Sequence, residues 1–265
     1  MRLRSISLFL VLALCSRSAA AQPGPGQNVH VNVAISSVTL RGDTTGVSST
    51  VANLATSLEK LNAFLVDAPS GVLRIQRPSP VRNWGAFTDF SARPIAYWAI
   101  LGLLPAGTTS PVLYYESVGL PAIVTFWAGG DFPLTGGEAD EPNPSAPPID
   151  PLVSEMINGK TVGVNPWPTD RSSKALIARL RTLTQTSCAA PLTWITSSTL
   201  CTKLIGYLDQ AETNRAAGKR PQAKSAMNSY ISSLSGKTAG TFAAGVTNPG
   251  YWLLKPNADI INSVL

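Results

Sequence analysis

The sequence is poor in residues that many enzymes need at their active sites. Its 265 residues include one histidine, His30, and a Ser–His–Asp or Cys–His arrangement would have to use it. His30 falls on the polar side of a predicted strand, so we expect an exposed histidine without a catalytic role. Zinc or iron sites built on several histidines are excluded. The G-x-S-x-G, P-loop and G-x-G-x-x-G motifs are also missing.

Cysteines and long apolar runs are scarce as well. Three cysteines are present and none belongs to a C-x-x-C motif, which argues against zinc and thiol-redox sites. The internal apolar run at residues 95–104 lies between Pro94 and Pro105 and is too short to cross a bilayer. We therefore expect a buried strand there and no transmembrane span.

Residues 1–21 have the three parts of a secretory signal peptide. Arg2 and Arg4 form a basic start, residues 6–14 are apolar, and residues 19–21 are alanines that suit a cleavage site. The pattern predicts that this segment is removed. It also predicts that the protein is secreted, periplasmic or at the cell surface.

The cysteines support an exported protein held by one disulfide. Cys15 would mark a lipoprotein only if Leu14 were a small residue, so we favour plain cleavage. Cys188 and Cys201 remain in the mature chain, and an oxidising compartment makes a disulfide between them the expected state. Such a link would stabilise the fold by roughly 3 kcal/mol in the chain-entropy model. We expect Trp194, which lies between the two cysteines, to be tucked inward.

Short strand-like runs separated by turn residues dominate residues 22–170. From Val29 to Ile35 the apolar residues alternate, as in a strand with one buried face. Further runs follow at 49–56, 61–69, 71–76, 94–101, 111–118 and 122–129. This pattern indicates an antiparallel β-sandwich of immunoglobulin-like or fibronectin-like type. Asn158-Gly159 suits a type I′ turn and predicts a hairpin near the end of this half.

An acidic segment rich in proline and glycine, residues 131–150, interrupts the strand pattern. Its carboxylates are candidate ligands for calcium, which prefers hard oxygen donors: Asp131, Glu138, Asp140, Glu141 and Asp150. Their spacing lacks the EF-hand pattern. A pair of them could instead act as acid and base on a glycoside. A solvated loop kept open by proline and charge is the simplest interpretation. No other cofactor is expected.

The apolar spacing changes to a helical period after Asp170, which predicts a small α-helical domain over residues 171–265 and an α+β fold class overall. The helix start and stop signals are the N-cap residues Ser172 or Ser173, the stop Gly218, and the start prolines Pro221 and Pro249. Pro256 should kink or break the last helix.

Charge separates the same two halves. Residues 22–170 hold 7 basic and 12 acidic side chains, whereas residues 171–265 hold 11 basic and 3 acidic ones. Part of the surplus forms a basic patch of Arg215, Lys219, Arg220 and Lys224, in which like charges would repel mildly at i, i+4. Solvated helix faces, docking on the acidic half and contact with an anionic surface all explain the patch. Without a DNA- or RNA-binding motif, we expect no specific nucleic-acid binding.

Two short aromatic and charged motifs suggest ligands. Trp84, Phe87 and Phe90 lie in a predicted connection and could form a platform on which a sugar stacks, although such aromatics more often cap the end of a sandwich core. Arg41-Gly42-Asp43 spells the tripeptide of integrin ligands. Three common residues at a turn after a strand also arise by chance.

The helical tail follows the order of a known module: a leucine-rich helix, a glycine, a second helix with Ala-x-x-x-aliphatic or aromatic spacing, a Ser-Gly-Lys stop and a last amphipathic helix. The corresponding positions are Leu204, Leu208, Ala211, Gly218, Ala223, Tyr230, Ile231 and Gly236-Lys237. In this order it resembles the FIMAH-type helical module at the C-termini of bacterial secreted proteins. The insertion at residues 238–248 and Pro256 depart from that pattern. The strand-rich half is similar to uncharacterised exported bacterial sandwich proteins, and neither resemblance implies an activity.

Together these patterns predict a non-enzymatic, exported protein that binds a ligand or associates with a surface. The expected partner is an anionic cell-envelope surface, a glycan or a protein. The alternative is a carbohydrate-binding or carbohydrate-active protein, calcium-dependent through the acidic segment and using Trp84.

Overall fold

The computed structural model describes residues 27–78, 84–88, 94–130, 153, 156–238 and 241–265. The strands are β1 (Val31–Arg41), β2 (Thr44–Asn53), β3 (Leu61–Asp67), β4 (Arg74–Gln76), β5 (Trp84–Thr88), β6 (Ile95–Leu104), β7 (Thr108–Thr109), β8 (Leu113–Val118), β9 (Leu120–Gly129) and β10 (Ile157–Asn165). The helices that follow are α1 (Ser173–Cys188), α2 (Ser198–Ala216), α3 (Arg220–Leu234) and α4 (Asn248–Val264). The predicted signal peptide and acidic segment lie outside the described residues.

The strands form two antiparallel sheets, which confirms the α+β class. The first sheet has the order β1-β2-β8-β4, with β7 also paired to β2, and the second has the order β10-β9-β3-β6-β5. Trp98 of β6 and Tyr115 of β8 are buried and meet edge to face, with 6.2 Å between their ring centroids. Side chains of both sheets therefore contribute to one core.

The predicted hairpin at Asn158-Gly159 is wrong. Both residues lie inside β10, which pairs with β9 along its whole length. Gly159 is opposite Phe126, and a Cβ at Gly159 would come within 2.6 Å of the Phe126 ring. The glycine makes room for an aromatic ring on the neighbouring strand, a role that glycine often has inside sheets.

The helix boundaries follow the local signals in the sequence. Ser172 caps α1 by accepting a hydrogen bond from the backbone N–H of Ala175 at 3.2 Å. Gly218, at a φ of 71°, follows the end of α2, and Pro221 lies in the first turn of α3. The predicted break at Pro256 is not found, because α4 continues through it.

Helix α4 packs against β1, β9 and β10, and two polar contacts fix it there. The Asn248 amide donates to the carbonyl oxygen of Ile35 at 2.8 Å and accepts from its N–H at 2.7 Å. It thereby pairs backbone groups on β1, which is an edge strand. The buried Asn257 amide donates to the carbonyl oxygen of Pro121 at 3.0 Å. The domain boundary after Asp170 stays a prediction, since one connected cluster of buried side chains joins the sheets and helices.

A buried hydroxyl pair links α1 to α3. The Thr184 hydroxyl donates to the carbonyl oxygen of Leu180 at 2.8 Å, so the Tyr230 hydroxyl, 2.7 Å away, donates to Thr184. Burial raises the pKa of Tyr230 above its ordinary value. Above about pH 10 an unfolded chain would release this proton while the folded chain keeps it. The folded state then loses stability as the pH rises.

Tyr230→Phe is expected to cost about 1 kcal/mol of unfolding free energy at pH 8, because it removes one buried hydrogen bond. Above pH 10 the difference from the unmodified chain should fall by about 1.4 kcal/mol per pH unit, since phenylalanine does not titrate, and it should therefore be abolished or slightly reversed near pH 11. Urea unfolding of both chains at about pH 8 and pH 11 measures this. A difference that stays constant across this pH range would contradict the expectation.

Candidate functional site

The structure separates the aromatic residues proposed as a sugar platform. Trp84 is 4% exposed and belongs to the core, so its ring is closed to a ligand. Phe87 is 40% exposed and lies 5.6 Å from Tyr97, centroid to centroid. The two residues are three positions apart on β5, and the pleat directs them to opposite faces of the sheet. Phe90 lies outside the described residues.

The five acidic residues proposed as calcium ligands, Asp131, Glu138, Asp140, Glu141 and Asp150, also lie outside the described residues. Within the described part of the chain, no group of three or more His, Cys, Asp or Glu side chains has the arrangement of a metal site. Calcium binding by residues 131–150 stays a prediction.

His30 and the Arg41-Gly42-Asp43 motif lie on the first sheet and its surroundings. His30 is exposed, and its Nδ1 is 2.9 Å from the Thr56 hydroxyl. Gly42 takes a φ of 60° in the two-residue turn between β1 and β2. The Asp43 carboxylate accepts from Arg171 at 2.9 Å, so it already has a partner within the chain.

The disulfide prediction is confirmed. Cys188 at the end of α1 is bonded to Cys201 in the first turn of α2, with 6.1 Å between their Cα atoms. Trp194 between them is 8% exposed, as expected. The link ties the two helices together where the chain leaves one and enters the other.

Thiol titration of the exported, unfolded and unreduced protein should detect no free thiol. The reason is that Cys188 and Cys201, the two cysteines after residue 21, are bonded to each other, and an oxidising compartment preserves such a bond. Two free thiols in that sample would contradict the prediction.

The four residues of the predicted basic patch lie where α2 meets α3, but they do not act alike. Arg215 forms two hydrogen bonds with Glu212 of its own helix, at 2.7 and 2.8 Å. The hydrogen bond from Arg215 lowers the pKa of Glu212, so this pair stays ionised. Arg215 is therefore neutralised locally and does not belong with the free cations.

The other three patch residues form what we name the cationic corner: Lys219, Arg220 and Lys224. Lys219 is the N-cap residue of α3, and Arg220 and Lys224 lie in its first two turns. All three are exposed, and in the described part of the chain no carboxylate lies within 4 Å of them. The break at Gly218 separates Arg215 from Lys219, so the expected i, i+4 repulsion is limited to Arg220 and Lys224.

Local electrostatics make the cationic corner unfavourable for α3 itself. The positive end of a helix dipole favours acidic residues in the first turn, and α3 has none there. Lys219 also provides no side-chain hydrogen bond to cap the helix. Lys219 and Arg220, which lie at this end, each cost roughly 0.3–1 kcal/mol at low ionic strength. An external anion at the corner would reverse that cost.

A groove of about 580 Å³ runs between α2 and α3, and none of the three residues of the cationic corner lines it. The α2 wall includes Lys203 and Tyr207, with the Lys203 ammonium 5.8 Å from the centroid of the Tyr207 ring. Serines line the α3 wall: Ser225, Ser229, Ser232 and Ser233. Sequence reasoning missed this groove, although serines at i, i+4 and i+7 on α3 mark a continuous polar face.

Comparisons with known proteins identify no family for this chain. No protein-family model and no curated protein matches the chain. Among solved structures, it is similar to an uncharacterized protein from Nocardia farcinica that has an immunoglobulin-like fold. That match has 14% identity and a TM-score of 0.29, and it covers 42% of this chain and 91% of the other. The FIMAH-type interpretation of the helical tail finds no support in these comparisons.

Proposed function

We propose that the chain is an exported, non-enzymatic protein, with an immunoglobulin-like sandwich, that associates with anionic surfaces of the cell envelope through its cationic corner. Export is supported by the signal pattern in residues 1–21 and by the disulfide, since such bonds persist in oxidising compartments. Among the described helices, none combines the length and apolar character that a membrane span requires. A peripheral contact fits these features.

The observation that carries the proposal is the contrast between the cationic corner and the other cations of the helical part. Four of those cations have carboxylate partners within the chain: Arg171 with Asp43, Arg181 with Asp209, Arg215 with Glu212, and Lys255 with Asp259. The three residues of the corner are exposed and adjacent, and they have no such partner among the described residues. Lys174, Lys203 and Lys237 also lack a carboxylate partner among the described residues, but each stands alone along the sequence, whereas the corner brings three such cations together.

The electrostatic attraction of the three corner cations to an anionic surface is large enough for weak, reversible association. A lysine or arginine close to an anionic membrane surface contributes about 1 kcal/mol. Three such side chains contribute about 3 kcal/mol, roughly a 150-fold gain in affinity.

The chain from residue 22 onward should sediment with vesicles of phosphatidylglycerol mixed with phosphatidylcholine, and not with vesicles of phosphatidylcholine alone. Binding should fall steeply between about 0.1 M and 1 M salt, because the Debye length shortens from about 10 to about 3 Å. The whole chain is used because α4 packs against the sheets. Equal binding to both kinds of vesicle, or binding unaffected by salt, would contradict the proposal.

A further inference from the structure

The outward face of the first sheet carries a polar cluster that spans its four main strands. Strand pairing places one row of residues side by side: Thr39, Gly46, Glu116 and Arg74. The next row consists of Ser37, Ser48, Tyr114 and Gln76. Since alternate residues of β8, Leu113 and Tyr115, are buried in the core, Tyr114 and Glu116 point to the opposite, outer face.

The Tyr114 ring lies down against this face. Its hydroxyl donates a hydrogen bond to Glu116 Oε1, two residues along the same strand. A Cβ at Gly46 would come 2.7 Å from the Tyr114 hydroxyl and 3.1 Å from its Cε2. The ring therefore covers Gly46, which is buried, while Tyr114 itself is half-exposed. One face of the ring rests on β2, and the other is available for a ligand.

Two guanidinium groups flank the ring. Arg74 on β4 is directly opposite Glu116, and Arg41 at the end of β1 shares the outer face with Thr39. Both arginines are exposed, and within the described residues no carboxylate lies within 4 Å of either. Burial and the bond to Glu116 raise the pKa of Tyr114, and the charges of Arg41 and Arg74 act in the opposite direction. Both cations are thus close enough to act on the phenol.

We propose that this face, which we name the tyrosine face, binds an acidic polysaccharide. The exposed side of the Tyr114 ring stacks on a sugar ring, since an aromatic side chain combines a broad apolar face with a polar tip. Arg41 and Arg74 bind carboxylates of the polymer, in the paired geometry that guanidinium and carboxylate groups favour. The second oxygen of Glu116 accepts a hydrogen bond from a sugar hydroxyl.

Charge and spacing select a polymer over a single acidic sugar. The face has two cations, Arg41 and Arg74, and one carboxylate, Glu116, so its net charge is positive. Arg41 and Arg74 are on the outer strands of four, and Arg41 lies two residues beyond the row of Arg74, so their Cα atoms are about 16 Å apart at the usual strand spacing and rise. One carboxylate cannot reach both arginines, whereas carboxylates on successive units of a chain can.

The test measures binding of the whole chain to alginate, a polymer of uronic acids, with neutral dextran as the comparison. Alginate should bind and dextran should bind at least ten-fold more weakly. Arg41→Gln/Arg74→Gln should weaken alginate binding at least ten-fold, and Tyr114→Ala by a similar factor. Tyr114→Phe keeps the ring and should lose less than three-fold. The double arginine variant keeps the test decisive if Tyr114→Ala fails to fold.

A separate variant distinguishes this face from the cationic corner. Lys219→Glu/Arg220→Glu/Lys224→Glu should leave alginate binding within about three-fold of the unmodified chain at physiological salt, because the Debye length there is roughly 8 Å. Absence of alginate binding would overturn the proposal. The proposal would also be overturned if the corner variant lost alginate binding while Tyr114→Ala and the double arginine variant kept it. Vesicle binding through the cationic corner is measured separately, so failure of this proposal can be told apart from failure of the proposed function.

Discussion

Replacing Gly119 with alanine is expected to lower the free energy of unfolding by about 4 kcal/mol or to prevent folding. Gly119 joins β8 to β9 with a φ of 146°, a conformation that side chains rarely allow. A Cβ there would be 2.7 Å from the carbonyl carbon of Asn165 and closer still to its oxygen. The Gly119 N–H also donates to the carbonyl oxygen of Asp43 at 2.9 Å, so the backbone cannot shift without losing this bond.

Gly206→Ala is the matched control. Gly206 lies inside α2, and a Cβ there would have no other atom within 4 Å. Alanine should leave stability unchanged or raise it by up to about 1 kcal/mol, because it favours the helix. Urea unfolding of both variants measures the contrast. A cost below about 1 kcal/mol for Gly119→Ala would show that the link between β8 and β9 is described incorrectly.

Asn257→Ala is expected to cost about 3 kcal/mol, because it leaves a largely buried guanidinium short of a partner. Arg179 donates to Asn257 Oδ1, and through its Nη2 to the carbonyl oxygen of Pro121 at 2.9 Å. Burial lowers the pKa of Arg179 to about 10. Asn257 also donates to the carbonyl oxygens of Pro121 and Leu253. The residue thus holds α1 and α4 on β9.

The control removes the partner of another arginine on α1. Asp209 pairs with Arg181, and the Asp209 side chain is 58% exposed. Asp209→Ala should therefore cost no more than about 0.5 kcal/mol, because solvent screens an exposed pair. Thermal and urea unfolding compare the two variants. Similar costs for Asn257→Ala and Asp209→Ala would mean that Arg179 is not held in a buried site.

Local signals predicted most of the elements correctly, because their causes lie within a few residues. Alternating apolar residues predicted β1, a strand-like run between turn residues predicted β8, and Ser172 and Gly218 predicted helix ends near the observed ones. The hairpin predicted at Asn158-Gly159 was wrong because Gly159 is needed there to make room for the Phe126 ring on another strand. No local pattern contains that contact.

The predicted helix break at Pro256 and the predicted aromatic platform are not found, for related reasons. The run around Pro256 stays helical because Leu253, Leu254 and Ala258 are fully buried, and this packing outweighs the preference of proline. Trp84 looked accessible because the pairing of β5 with β6 was not foreseen.

The candidate sites also differ in how far they could be predicted from local sequence. The partner of Arg215 could have been found from the sequence, because Glu212 precedes it at i−3. The free cations of the cationic corner become distinct only when that pair and the break at Gly218 are known. The tyrosine face depends on the register of four strands. Strand register depends on the type and length of each connecting turn, and a single sequence does not fix these.

The central claim is that the position of the cationic corner, and not the total charge, causes association with anionic surfaces. Two triple variants change the net charge equally, and all six substituted residues are exposed. The first is Lys219→Glu/Arg220→Glu/Lys224→Glu, in the corner, and the second is Lys60→Glu/Lys174→Glu/Lys237→Glu, outside it. Affinity for phosphatidylglycerol vesicles should fall at least 100-fold in the first variant, following from about 1 kcal/mol per cation and added repulsion. It should stay within about three-fold of the unmodified chain in the second variant. Equal losses in both variants would contradict the account.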